Sequence, residues 1–237
     1  MLRFILYIYS IVFWFFWWIN AVVVISIGII ISFALPKSFR NPIGKIITLI
    51  LTYSAFIFPK HTGLKPKDLP FPVIFTPNHV SIFDLFISGA MLPGYPRGLQ
   101  LERFFSIPIY GWLINYFGMV PIKPGSYKSV KNSFKILVDK LKYHERNILI
   151  MPEGFRTPDG RVNEFKSGAF LLSKKTGVPV VPVVYKGLFR LNNRMSILAR
   201  PGRIQIKILE PVYPQQFSNE DEMASYVRGL IVKELED

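Results

Sequence analysis

The sequence contains no cysteine and only three histidines among its 237 residues. Without cysteine, disulfide bonds and cysteine-ligated metals are excluded, and three histidines leave little for a zinc site, so we expect no bound metal. Acidic residues are also scarce: 15 Asp and Glu stand against 29 Lys and Arg, a formal net charge of +14, yet half of the residues are hydrophobic. A soluble nucleic-acid-binding protein would explain only the charge. A protein that lies against an anionic membrane would explain both features.

Charged residues are missing altogether from residues 4–35. As one helix, these 32 residues would be roughly 48 Å long, well beyond the ~30 Å hydrocarbon core of a bilayer. The segment therefore fits either one long tilted span or two shorter helices that break near Asn20 and enter a single leaflet. It is too long for a cleaved signal peptide. Its tryptophans are interpreted as anchors at the membrane interface: Trp14, Trp17 and Trp18.

Basic residues are concentrated on one side of this apolar segment. Lys37, Arg40 and Lys45 follow it, whereas Arg3 alone precedes it. If the segment spans the bilayer, this bias places the rest of the chain in the cytoplasm. The expected location is therefore the cytoplasmic face of the inner membrane.

A second membrane-proximal helix is predicted from apolar residues at helical spacing between Ile43 and Ile57. Residues 61–72, which are rich in lysine and proline, are interpreted as a linker. The sequence thus divides into membrane-associated helices over residues 1–58 and an α/β catalytic domain over residues 59–237.

Short β-branched runs alternate with amphipathic patterns in the second of these parts. Strands are predicted at residues 72–76, 98–102, 118–122, 147–151, 178–185 and 204–209, and helices at 82–91, 108–117, 126–143, 165–176 and 220–235. The prolines of the strand at 178–185 argue against a place in the middle of a sheet. We predict an α/β fold with a mixed, largely parallel sheet flanked by helices and preceded by hydrophobic membrane-anchoring helices.

The junction between the first predicted strand and its helix reads Asn-His-Val-Ser-Ile-Phe-Asp, residues 78–84. His79 and Asp84 would point to different faces of one regular helix at ~100° per residue, so they meet only if His79 lies in the turn before the helix. There a neutral imidazole can take a proton from an alcohol that attacks a carbonyl, while a carboxylate on the other ring nitrogen stabilises the imidazolium. The pair predicts general-base catalysis by His79, with Asp84 orienting it.

Ser81 leaves other interpretations of this motif open. A lipid serine hydrolase would use Ser81 as its nucleophile, although no Gly-x-Ser-x-Gly elbow exposes the hydroxyl. Alternatively, Ser81 caps the helix, with Asp84 three residues on, and His79 is an ordinary loop residue. That reading would suit a membrane-surface binding protein without catalysis.

A second polar cluster, Pro-Glu-Gly-Phe-Arg, occupies residues 152–156 after a predicted strand. Ligands bind at the carboxyl ends of strands in open α/β sheets. Glu153 and Arg156 either form an ion pair that holds a turn, or Arg156 grips a phosphate or carboxylate while Glu153 orients it or bonds an acceptor hydroxyl. Lys166, where the next helix opens, is expected to help hold an anion.

Four blocks resemble the pattern of the glycerolipid acyltransferase family that includes 1-acyl-glycerol-3-phosphate acyltransferases: NHVSIFD, MPEGFRTPDG, FKSG and VPVVPV. The resemblance covers residues 73–187, and the preceding hydrophobic helices are similar to the membrane anchor of bacterial members. It implies direct transfer of a fatty acyl group from a thioester to a lysophospholipid hydroxyl, with His79 as the general base. It also implies that Glu153, Gly154 and Arg156 bind the acceptor's phosphate.

The resemblance implies no cofactor, with acyl-CoA or acyl carrier protein as co-substrate, and membrane lipids rather than nucleic acid as partners. Net positive charge favours both donors alike. In the second family block, Pro124 replaces a usual arginine, so Lys123 or Arg103 is expected to supply that charge, and Phe155 stands where threonine is common. The expected acceptor is 1-acyl-glycerol-3-phosphate, giving phosphatidic acid; another lysophospholipid or an amino-acid-based lyso-lipid stays open.

Overall fold

The computed structural model describes residues 2–143 and 146–236. The strands within these residues are β1 (Ile57–Gly63), β2 (Ile74–Pro77), β3 (Arg97–Leu101), β4 (Val120–Ile122), β5 (Ile148–Leu149), β6 (Val180–Lys186) and β7 (Gly202–Ile208). The α-helices are α1 (Leu2–Ala34), α2 (Arg40–Ser54), α3 (Asp84–Met91), α4 (Tyr110–Tyr116), α5 (Tyr127–Lys142), α6 (Gly168–Thr176), α7 (Leu188–Leu191) and α8 (Glu220–Glu236). Short 3-10 turns lie at Lys37–Phe39, Pro66–Asp68, Glu102–Ser106 and Pro214–Gln216.

All seven strands belong to one sheet, in the order β1-β7-β6-β2-β5-β3-β4. Every neighbouring pair is parallel except β6 and β7, which are antiparallel. Strands β1 and β7 therefore run opposite to the other five. The predicted mixed, largely parallel sheet is confirmed.

Strand β6 lies inside the sheet although it contains Pro182 and directly follows Pro179, so the expectation of a peripheral position is wrong. Pro182 lies opposite Thr76 of β2, and its carbonyl accepts a hydrogen bond from the Leu209 N–H. The ladder to β7 begins only at Val183, and beyond Pro182 the next bridge joins Val180 to Val212. The missing N–H of Pro182 thus falls in a gap of the hydrogen-bond ladder, where a proline is tolerated.

The sheet separates two hydrophobic clusters. Neighbouring residues of β2 point to opposite faces: Phe75 packs with side chains of α1, α2, α3 and α4, whereas Ile74 packs with side chains of α5, α6 and α8. The fold therefore has three layers. The N-terminal helices all lie on one face of the sheet, and α5, α6 and α8 lie on the other.

Helix α1 is a single continuous helix, and the alternative break at Asn20 does not occur. Residues at three- and four-residue spacing form its buried stripe, namely Ser10, Phe13, Trp17, Ala21, Ile25, Gly28 and Ser32. Most of its remaining surface is apolar and exposed, as at Phe4, Ile11, Phe15, Val22, Ile30 and Phe33. Among the described residues, α1 is the one helix long and apolar enough to cross a membrane, with a mean hydropathy of 2.2.

Two of the predicted interfacial tryptophans instead pack against the rest of the fold. Trp17 is 2% exposed, and its indole N–H donates to the carbonyl of Leu51 in α2. Trp14 donates to the carbonyl of Ile197 and stacks on Phe83 at 5.7 Å between ring centroids. The anchor interpretation is wrong for Trp17, because its N–H is satisfied inside the protein; Trp18 is half exposed.

The predicted linker at residues 61–72 is wrong at its start, because β1 extends to Gly63 and pairs along its whole length with β7. The predicted division between residues 58 and 59 falls inside this strand. In α2, Ile47 and Leu51 are buried against the core, whereas Ile46 and Ile50 are exposed. The N-terminal helices are therefore packed into the same core as the sheet.

Candidate active site

Asn78 holds the turn that follows β2. Its side-chain oxygen accepts from the backbone N–H of Tyr185 at 2.8 Å, and its amide group donates to the Tyr185 carbonyl at 3.3 Å. The Tyr185 hydroxyl, whose pKa is raised by burial, lies 2.6 Å from the Ser88 hydroxyl in α3. The side chain thus continues the pairing of β2 with β6 for one residue and sets where the next residue, His79, leaves the sheet.

His79 and Asp84 are in contact. The His79 Nδ1 atom lies 2.6 Å from Asp84 Oδ2, with the imidazole 22% exposed and the carboxylate fully buried. The same oxygen accepts from the backbone N–H groups of Val80 at 2.8 Å and Ser81 at 3.0 Å. An ionised carboxylate only accepts hydrogen bonds, so Nδ1 carries the imidazole proton and Nε2 is left with a lone pair.

Ser81 is directed away from the histidine. Its hydroxyl is buried, donates to Asn192 Oδ1 at 2.8 Å and accepts from the Phe83 N–H at 3.2 Å. The structure therefore contradicts the serine-nucleophile interpretation, because a nucleophile must hydrogen-bond to its base and reach the substrate. The capping interpretation is wrong, because Phe83 rather than Ser81 is the N-cap of α3 and no side chain caps the helix. Ser81 and Asp84 each accept from a backbone N–H in the turn before it.

Glu153 connects the loop after β5 to the loop after β2. Its carboxylate is buried; Oε1 accepts from the His79 backbone N–H at 2.6 Å, and Oε2 accepts from the backbone and side-chain N–H groups of Asn163 at 2.9 and 2.8 Å. Burial raises the pKa of this carboxyl group, while the hydrogen bonds from Asn163 and His79 oppose the shift. Protein donors thus bond to both oxygens of Glu153, whereas its contact with the acceptor stays a prediction. No ion pair joins Glu153 to Arg156 among the described residues.

Gly154, Arg156 and Lys166 lie beside this loop. Gly154 has a φ of +76°, and a Cβ atom there would lie 2.7 Å from the Lys166 ammonium nitrogen. The backbone N–H of Thr157 donates to the His79 carbonyl at 2.9 Å, which places the half-buried Arg156 next to the histidine loop. The structure thus brings two cationic side chains to the edge of the sheet that holds His79.

Lys123 lies on the same edge but farther away. It follows β4, which is three positions from β2 in the sheet, a lateral separation of roughly 14 Å at ~4.8 Å per strand. Lys123 and Arg103 are both exposed. The structure therefore does not place Lys123 in the group formed by His79 and its neighbours.

A narrow apolar cavity of about 30 Å³ lies between α2, α3 and α4. Its walls include Leu51, Phe86, Tyr95, Leu113 and Phe117. The cavity lies on the face of the sheet that carries α1.

Sequence reasoning missed three asparagines that organise the site: Asn78, Asn163 and Asn192. Asn78 bonds Tyr185 of β6, Asn163 bonds Glu153 and Asn192 bonds Ser81, partners that lie 107, 10 and 111 positions away in the sequence. Only Asn78 carried a signal, as the first residue of the histidine motif. The other two have no local pattern that identifies them.

The His79–Asp84 pair lies at the carboxyl edge of the parallel part of the sheet, with Ser81 bonded to Asn192 and directed away from the imidazole. A family model described as Acyltransferase matches residues 62–186, which is more than half of the chain. The chain belongs to this acyltransferase family.

Relatives and a solved structure agree with this assignment. The chain is 31% identical over 143 residues to a chloroplastic 1-acyl-sn-glycerol-3-phosphate acyltransferase of Brassica napus, covering 60% of this chain and 41% of the relative. It is 25% identical over 170 residues to the 1-acyl-sn-glycerol-3-phosphate acyltransferase of Saccharomyces cerevisiae, covering 70% and 56%. The chain thus spans about half the length of these curated relatives. The crystal structure of PlsC, the 1-acyl-sn-glycerophosphate (LPA) acyltransferase of Thermotoga maritima, matches with a TM-score of 0.85 and 25% identity, over 100% of this chain and 97% of that one.

Proposed function

We propose that the protein transfers a fatty acyl group from an acyl thioester to the free hydroxyl of 1-acyl-glycerol-3-phosphate and so forms phosphatidic acid. The observation that carries the reaction type is the 2.6 Å contact between His79 Nδ1 and the buried Asp84 carboxylate. The choice of acceptor is supported by the similarity to Thermotoga maritima PlsC over the whole chain and by the names of the plant and yeast relatives.

In the proposed reaction, His79 Nε2 removes the acceptor's hydroxyl proton while the hydroxyl oxygen attacks the thioester carbonyl carbon. The new carbon–oxygen bond forms, the carbon–sulfur bond breaks, and the imidazolium returns the proton to the leaving thiolate. Asp84 stabilises the imidazolium and holds the ring in one orientation. No acyl-enzyme is formed, which agrees with the buried position of Ser81.

Arg156 and Lys166 are the proposed phosphate-binding groups. A guanidinium can bind two phosphate oxygens at once, and an ammonium group adds a point charge. Gly154 leaves the space through which Lys166 reaches this edge. Glu153 affects the substrate indirectly, by holding the loops after β2 and β5 in place. Lys123 lies farther from His79, and we assign it to a more distant part of the bound substrate.

Membrane association is proposed from the exposed apolar surface of α1 and α2. The buried stripe of α1 runs from Ser10 to Ser32, so the helix packs against the domain over roughly 33 Å at 1.5 Å per residue. That length is close to the whole hydrocarbon core of a bilayer. We therefore place α1 along the membrane surface within one leaflet, rather than across the bilayer.

The test is transfer of a labelled acyl chain from acyl-CoA and from acyl carrier protein to a panel of lyso-lipids. His79→Ala should lose at least ~10²-fold in rate, the usual effect of removing a general base. Ser81→Ala should keep most of the activity and serves as the matched control within the same turn. Full activity in the His79 variant would refute the mechanism, and product with a different lyso-lipid alone would refute the acceptor.

A further inference from the structure

Helix α5 carries four exposed lysines on one side, which we call the lysine face: Lys128, Lys131, Lys135 and Lys142. Their spacing of three, four and seven residues aligns them in one stripe about 21 Å long at 1.5 Å per residue. Two exposed tyrosines frame the stripe, Tyr127 at its start and Tyr143 after its end. Asp139, the one carboxylate of this helix, lies on the same side, four residues after Lys135 and three before Lys142, so the face carries four positive charges and one negative. The face is thus strongly basic, with aromatic side chains at both ends.

The charges of the lysine face are not neutralised within the described part of the chain. No ion pair there involves any of its four lysines. Two cations of this surface lie near aromatic rings: the ammonium of Lys131, within the lysine face, lies 6.0 Å from the Tyr127 ring centre, and that of Lys175 in α6 lies 5.6 Å from the Phe134 ring centre. An acidic partner would therefore find these charges available.

The position of α5 decides between a membrane and a soluble partner. Its buried residues Leu137 and Leu141 pack on the face of the sheet opposite to the one that holds α1. A bilayer that contacts the exposed apolar surface of α1 is separated from the lysine face by the whole thickness of the sheet. The complementary surface is therefore that of a soluble acidic molecule.

The lysine face also begins at the edge of the sheet that holds the catalytic pair. Ser126 caps α5 four residues after the last residue of β4, beyond the carboxyl end of that strand. Strand β4 lies three positions from β2, which leads into His79. A partner bound to α5 would therefore need a flexible arm to bring a reactive group along this edge to the histidine.

We propose that the lysine face is the docking surface for a small acidic protein that carries the acyl group as a thioester on a flexible arm. This inference rests on the proposed function, because it names the form in which the acyl group arrives. Basic and acidic surfaces attract one another over a distance and accelerate association, an effect that salt weakens. A stripe of this length suits a protein helix better than the compact phosphates of a single nucleotide.

The experiment reverses three charges of the lysine face, Lys128→Glu, Lys131→Glu and Lys135→Glu together. The matched control reverses three exposed lysines near β1 and the turn that follows it: Lys60→Glu, Lys65→Glu and Lys67→Glu. Binding of hexadecanoyl acyl carrier protein is measured by fluorescence anisotropy, and KM is measured with that donor and with hexadecanoyl-CoA. Near-ultraviolet circular dichroism checks that both variants are folded.

We expect the lysine-face variant to weaken binding of the carrier protein, and to raise its KM, by ~10-fold or more, while the KM for hexadecanoyl-CoA changes less than ~2-fold. The control should bind as the wild type does. The inference is overturned if the wild type does not bind the carrier protein, if the control weakens binding equally, or if the KM for hexadecanoyl-CoA rises as much. It is also overturned if the variant instead loses binding to phosphatidylglycerol vesicles.

These outcomes separate the docking surface from the proposed function. Transfer from hexadecanoyl-CoA to lysophosphatidate without carrier-protein binding would refute only the docking surface. Carrier-protein binding that depends on the lysine face, without acylation of any lyso-lipid, would refute only the proposed function.

Discussion

The Glu153 carboxylate accepts a hydrogen bond from the backbone N–H of His79 at 2.6 Å. The loop after β5 therefore fixes the loop after β2, and Glu153 positions the histidine without contacting Asp84. Since the carboxylate is buried, its loss would leave the His79 and Asn163 N–H groups without an acceptor.

Glu153→Ala should therefore lower stability and activity together. An unsatisfied buried donor costs about 1–3 kcal/mol, and the misplaced histidine should lower kcat by ~10-fold or more. Thermal unfolding and initial rates measure the two effects. Glu210→Ala, which removes an exposed carboxylate, is the control; equal losses in both variants would mean that Glu153 has no positioning role.

Glu153 should also make stability depend on pH. Burial raises the pKa of the Glu153 carboxyl group in the folded protein above its ordinary value of 4.5. At a pH between the ordinary and the raised pKa, Glu153 is protonated in the folded protein and ionised in the unfolded chain. The free energy of unfolding should therefore fall as pH rises through this window and level off above it. The measurement is the difference in unfolding temperature between wild type and Glu153→Gln as a function of pH. A difference that rises with pH would contradict the prediction.

Gly154→Ala should impair the anion-binding edge. A residue other than glycine at this positive φ costs about 1–2 kcal/mol, and the new Cβ atom would displace the Lys166 ammonium group. We expect a higher KM for the lyso-lipid with little change in the KM for the acyl donor. Gly229→Ala in α8, where a Cβ atom meets open space, should leave both constants unchanged. An unchanged KM for the lyso-lipid in the Gly154 variant would refute the proposed role of Lys166 in binding the acceptor.

Trp17→Ala and Trp18→Ala should separate packing from membrane contact. Trp17 is buried and bonded to Leu51, so its truncation should cost about 3–5 kcal/mol and lower the unfolding temperature by roughly 10 °C. Trp18 is half exposed, so its truncation should weaken binding to lipid vesicles with little loss of stability. The test is unfolding in detergent beside vesicle co-sedimentation. The prediction would be contradicted if Trp17→Ala weakened vesicle binding without loss of stability and Trp18→Ala lowered the unfolding temperature.

Local patterns predicted those parts of the molecule that depend on neighbouring residues. Short-range periodicity predicts the strand-to-helix junction at His79 and, with it, the contact between His79 and Asp84. It also predicts the amphipathic helix α5. These features depend on residues close in sequence and not on the rest of the sheet. The α/β class follows in the same way from the alternation of the elements.

Tertiary contacts decided the rest. Strand β1 is not predicted from the sequence, which assigns Ile57 to the second helix and residues 61–63 to the linker, because the partner strand begins 145 positions later, with Ile57 opposite Gly202. The role of Glu153 depended on which donors surround a buried carboxylate, and the burial of Trp17 depended on α2 lying against α1. The spacing of apolar residues that marks a helix or a strand is present in the local sequence. The partner of a buried hydrogen bond or of a buried face is determined only when segments distant in sequence pack together.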